Sequence, residues 1–174
     1  QFLLPRAVAY STGLIDYIFR GEIKVAAPPE GVYGVVDSSP AGCGSPCGFR
    51  KLRMNLQNVT PGSEVMGPGE LRVIVKYHRN QCHQADLSGH FGGSRFGGNA
   101  CRMDESVAVS EPLVIGGAVS RNEGGEERTF HFPLANYIPI DATDVRLQIL
   151  FRGRLGQEDD AVAVTTVDIA EPNF

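Results

Sequence analysis

From residue 22 onward the chain alternates apolar and polar residues with a period of two, as strands with one buried face do. Ile23 and Val25 alternate with Glu22 and Lys24 until Pro28-Pro29 stops the pattern. Val32 to Val36 reads as the next strand. Leu52, Met54 and Leu56 alternate with Lys51, Arg53, Asn55 and Gln57, which predicts a half-buried strand with a basic solvated face. Leu71, Val73, Val75 and Tyr77 alternate with Arg72, Ile74 and Lys76. Ser106–Val109, Leu113–Ile115, Thr129–Phe132, Val145–Phe151 and Ala161–Val167 continue the series. In 145–151, Val145, Leu147, Ile149 and Phe151 stand against Arg146, Gln148 and Leu150.

Only the stretch from Pro5 to Arg20 has helical spacing. Val8, Tyr10, Leu14, Ile15, Tyr17, Ile18 and Phe19 form its apolar face, opposite Ala9, Thr12, Gly13, Asp16 and Arg20. Pro5 suits the first turn, and Gly21 a left-handed C-terminal cap. Gly13 inside this helix costs about 1 kcal/mol relative to alanine. The change of period divides the chain into an N-terminal helix or linker, residues 1–21, and a strand-rich domain, residues 22–174. Short strands separated by Gly, Pro and Asn turns predict an all-β fold. It is an antiparallel β-sandwich of immunoglobulin-like or jelly-roll type, with one N-terminal helix.

Composition narrows this further. Glycine (21) and proline (11) exceed ordinary usage, which excludes a helical bundle. A hydrophobic share of 42% supplies a core and argues against wholesale disorder. A net charge of −4 gives no electrostatic basis for binding nucleic acid. No apolar run is long enough to span a bilayer, and Gln1–Arg6 lacks the basic and apolar parts of a signal peptide. The opening on Gln1 points to the mature or C-terminal part of a longer chain. With no tryptophan, a stacked-tryptophan platform for sugars is excluded.

Two loops gather the reactive residues. Residues 37–48 and 78–105 hold all four cysteines and three of the four histidines. The second loop is long for a connection within a compact domain. A Cys82–Cys101 disulfide would close a loop of about 20 residues, worth roughly 3 kcal/mol in chain entropy. Cys43 and Cys47 could then close a tight turn, although four cysteines allow three pairings. The even count in a loop-rich β protein favours an oxidising compartment, secreted, periplasmic or at the cell envelope. The rival is structural zinc, with Cys43, Cys47, Cys82, His83, His90 and Cys101 as ligands, but the pairs are irregular and no CxxC occurs. Tyr77-His78-Arg79-Asn80 ends a strand just before Cys82. On a pinned loop, His78, Arg79, Asp86, His90 and Arg95 form the surface where a ligand contact is expected.

Other motifs weigh less. Glu158-Asp159-Asp160 reads as an acidic turn between strands, able to offer hard oxygen ligands to calcium but more commonly just solvated. Ala9-Tyr10-Ser11-Thr12-Gly13 resembles a nucleophile elbow without the strand that elbow needs. Gly42–Gly48 resembles a phosphate loop with its third glycine one residue late and no helix pattern after it. Asn58-Val59-Thr60 matches the glycosylation acceptor at chance level.

Three stretches together, RAVAYSTGLIDYIFRGEI, GPGELRVIVKYHRNQCHQADLSG and VRLQILFRGRLGQEDDAVAVTTVDIAEPNF, resemble the β-rich C-terminal region of large uncharacterised exported bacterial proteins. The resemblance implies an envelope or secreted setting and a parent with upstream domains. It carries no activity and no catalytic residues to transfer. The expected function is a non-catalytic accessory domain for binding or assembly, presenting a disulfide-pinned loop to a protein or glycan ligand and needing no cofactor. The alternatives are a metal-dependent hydrolase, or part of one, using the His/Asp loop, and a structural piece whose helix docks on an upstream domain.

Overall fold

The computed structural model of the protein describes residues 20–36, 48–80, 103–139 and 142–169, together with Val8 and Ser11. The described chain is mostly β, arranged as two antiparallel sheets. Of the helix expected over residues 5–20, only Val8, Ser11 and Arg20 are described. Val8 and Ser11 are helical, Arg20 is not, and the remainder of that expectation lies outside the described residues. No α-helix is delimited among the described residues.

The smaller sheet is built on β3 (Phe49–Asn58). One edge of β3 pairs with β1 (Ile23–Ala26) and, further along, with β2 (Gly34–Val36), so these two lie end to end across the Pro28-Pro29 break. The other edge pairs with β7 (Glu126–His131). The larger sheet is built on β4 (Met66–Asn80) and β8 (Ala142–Leu155), paired along most of their length. β5 (Met103–Val109) and β6 (Leu113–Ile115) lie end to end on the far edge of β4. β9 (Glu158–Asp168) borders β8.

The alternation read from the sequence sets which side chains face inward. Leu52, Met54 and Leu56 of the smaller sheet join Leu71, Val73, Val75, Leu147, Ile149 and Phe151 of the larger one in a single hydrophobic cluster. Phe130, Phe132 and Phe151 are among the largest side chains sealed from solvent there. Burying side chains of this size contributes about 1.5–3 kcal/mol each, which makes the interior the main source of stability.

The two lateral margins of the sheets differ. On one margin Glu111 N donates to His131 O at 2.7 Å. Beside it the Asn136 amide, oriented to satisfy its neighbours, donates to Val107 O (3.2 Å) and accepts from Val109 N (3.0 Å). On the other margin Gly21 makes an isolated parallel bridge to Ala163 of β9 before the chain crosses into β1. Gly21 is therefore not the helix cap the sequence suggested. It is glycine for want of space: a Cβ would stand 2.7 Å from Ala163 Cβ and 3.2 Å from Leu155 Cδ2.

The polar residues buried beside the core, Asn58, Thr60 and Ser110, are all hydrogen-bonded. Asn58 is 1% exposed; its amide donates to Glu64 O at 2.9 Å and its oxygen accepts from Thr60 N at 3.0 Å. The glycosylation-like triplet is thus a structural turn whose asparagine is sealed in the fold. Arg20 ties this turn to the opposite sheet, with Nε 3.2 Å from Glu64 Oε2, Nη1 2.7 Å from Glu158 Oε2, and Nη2 donating to Leu155 O.

Candidate binding face of the larger sheet

The outer face of the larger sheet is where the alternation predicted from the sequence breaks down. Ile74 and Leu150 occupy positions that alternation reserves for polar residues, and both are only partly buried. Register places Val109 beside Ile74, and Val164 beside Leu150. Val162, Val107 and Val114 point to the same side, with Val164 and Val107 each 45% exposed and Val114 76% exposed. Water-facing valines and leucines gathered on one sheet face mark an interaction surface more often than scattered ones do.

Charged residues frame this apolar strip. At one end Arg72 pairs with Glu70. Beside them Arg152 holds Asp160 through two bonds, at 2.7 and 3.1 Å. The hydrogen bond and charge of Arg152 hold the Asp160 carboxyl below its ordinary value, and the same bond raises the guanidinium. A shallow cavity of about 600 Å³ at this end is lined by residues including Pro68, Glu70, Val114, Arg152, Asp159 and Asp160.

Glu158, Asp159 and Asp160, expected in a loop, are the first residues of β9. The turn before them is tighter than the sequence suggested: Leu155 pairs with Glu158 across Gly156-Gln157. Gly156 takes φ +59° at the first central position, where type II′ hairpins need glycine. Each carboxylate meets an arginine: Glu158 meets Arg20, Asp159 meets Arg154 at 3.8 Å, and Asp160 meets Arg152. Among the described residues no group of three or more His, Cys, Asp and Glu is placed to hold a metal ion.

His78 stands at the opposite end of the same face. Between Lys76 and His78 the pairing with β8 slips, because the step from Arg146 to Thr143 spans one residue more on β8. This bulge carries Asp144 at φ +51°, a conformation aspartate tolerates better than most residues. It brings Asp144 Oδ2 to 3.2 Å from His78 Nδ1. The Thr143 hydroxyl also donates to His78 O at 3.3 Å. Arg79 continues the ladder opposite Ala142 and Asp104. His78 lies eight positions along β4 from Glu70, about 26 Å at strand rise. The histidine end and the acidic end are thus separate places on one face.

Asp86, His90, Arg95, His83 and the four cysteines Cys43, Cys47, Cys82 and Cys101 lie outside the described residues. Sequence reading missed Asp144 and the apolar strip. The strip had a visible signal in Ile74 and Leu150, apolar residues out of phase with their strands. Asp144 had none, because the bulge depends on partner register. No protein-family model, curated protein or solved structure matches the chain.

Proposed function

We propose that the chain is a non-catalytic binding or assembly domain of an exported bacterial protein. In this reading it is a β-sandwich of immunoglobulin-like or jelly-roll type. Its contact surface is the outer face of the larger sheet together with the 78–105 stretch, whose first residues, His78 to Asn80, end β4. Disulfides Cys82–Cys101 and Cys43–Cys47 pin the loops, and the ligand is a glycan or protein of the envelope, or an upstream region of the same parent.

The observation that carries this reading is the half-exposed strip of Ile74, Leu150, Val107, Val109, Val162 and Val164 on a rigid sheet, framed by ion pairs. Such a face gives broad apolar contact at its centre and polar specificity at its rim. The test is a nitrogen-15 NMR titration of the chain with purified envelope polysaccharides and, separately, with the parent's upstream region. Amide shifts are expected at Ile74, Val107, Leu150 and Val164, with the ligand recovered chemically intact. Leu150→Lys should weaken binding at least about tenfold, as charge at the centre of an interface does. Cleavage of the ligand, or shifts nowhere on this face with either ligand, overturns the reading.

A further inference from the structure

The margin where Gly21 meets Ala163 leaves two strand edges open toward each other. Ile169 N donates to Val145 O at 3.2 Å, and the β8–β9 register extends that pair through Val167↔Leu147 and Thr165↔Ile149. Antiparallel ladders alternate bonded and non-bonded pairs, so the odd-numbered residues of β9 bond β8 and Thr166 turns its N–H and C=O outward. The same logic applies to β1. Val59 N donates to Glu22 O at 3.0 Å, while Asn58 N turns away to Ser120 O. Glu22 and Lys24 therefore bond β3, and Ile23 and Val25 direct their backbone groups to the open side. Among the described residues these outward groups have no backbone partner.

Between the two edges lies a cleft of about 440 Å³, lined by residues including Ile23, Lys24, Val25, Val59, Val164 and Thr165. At the parallel Gly21–Ala163 bridge the chain leading into β1 runs beside the middle of β9, and β1 then diverges into the other sheet. We propose that this cleft accepts an extended strand of another polypeptide, by strand addition to β9 and β1. Only a peptide backbone supplies donors and acceptors at strand spacing to both edges at once. The protein already uses the β9 edge in this way at Gly21, and the occupant prolongs that ladder toward Thr166. The opposite margin is sealed by Glu111 and Asn136, so the opening is one-sided.

Side chains define the occupant further. Every second residue of the strand faces Ile23, Val25 and Thr165 and is apolar. On the solvent side Glu22 and Lys24, two residues apart on one face, carry no ion pair among the described residues. They select a strand with a basic and an acidic residue at the same two-residue interval.

The probe is the capped peptide Lys-Val-Glu-Val-Lys-Val-Glu, used beside the same peptide with its valine amides N-methylated. Amide hydrogen exchange is read residue by residue on the full chain. In the free chain, Ile23, Val25 and Thr166 should exchange at least about tenfold faster than Lys24, Thr165 and Val167. The unmodified peptide should slow the first three at least about tenfold and the methylated one should not, since it cannot bond one of the two edges. Thr166→Pro removes an outward N–H that β8 does not use, and should abolish the slowing. If that variant fails to fold, the comparison of the two peptides decides alone. The proposal is overturned by any of three results: protection of the three amides in the free chain, no slowing at millimolar peptide, or equal slowing by both peptides.

Discussion

Asp160 shows how one neighbour sets the behaviour of a fully exposed group. Its carboxylate accepts two bonds from Arg152 and lies within that guanidinium's field, so its folded titration sits below that of a free aspartate. Since the folded value is the lower one, the pair's small contribution is present above about pH 4, the unfolded aspartate value, and is lost as pH falls through the folded value. Carbon-detected NMR titration should place the Asp160 midpoint below about 3.9, and Arg152→Ala should return it to the ordinary range. High salt should narrow the difference, as it does for exposed charges. A midpoint unchanged by Arg152→Ala would show that the two charges do not act on each other in solution. Asn58 is the opposite case: its amide and oxygen are used inside the fold, which removes it as a sugar acceptor despite the matching triplet.

At the scale of elements, the crossing at Gly21 is a junction set by close packing. Gly21→Val would push a branched side chain against Ala163 and Leu155, and should cost about 1–3 kcal/mol in urea unfolding. Shrinking the neighbour with Ala163→Gly should recover part of a Gly21→Ala loss; full independence of the two changes would refute the contact. This junction also shows where sequence reading stops. Strand positions such as Leu52, Met54, Leu56 and Leu71 to Tyr77 were legible because a buried face imposes alternation locally. Gly21 was misread because the reason for glycine there is Ala163, distant in sequence. The start of β7 at Glu126 was hidden for a related reason: an edge strand carrying Glu126, Glu127 and Arg128 meets solvent and ion partners, so its sequence is polar. Glu158 to Asp160 looked like a loop because acidic residues favour turns, yet Gly156-Gln157 reverses the chain first and the acids begin a strand. Of the candidate site, His78 and Arg79 were readable at a strand end, whereas Asp144 follows from a bulge that only the β4–β8 register creates.

For the molecule as a whole, the proposed oxidised loops make a direct prediction. Intact mass under denaturing conditions should rise by four hydrogens on reduction, and reduction should lower stability by about 3 kcal/mol for the longer loop alone. An unchanged mass would remove the disulfides, and with them the pinned surface beyond His78. Arg20 has a mechanical consequence as well. A pull applied to the chain on the amino-terminal side of Arg20 meets a guanidinium that grips the 60–64 turn, the β8–β9 hairpin and the Leu155 carbonyl together. Behind it, the Gly21 bridge adds a backbone tie to Ala163 in the middle of β9. Tension at that point passes from the outset into the larger sheet and into the turn that joins it to the smaller one, so this corner anchors the chain.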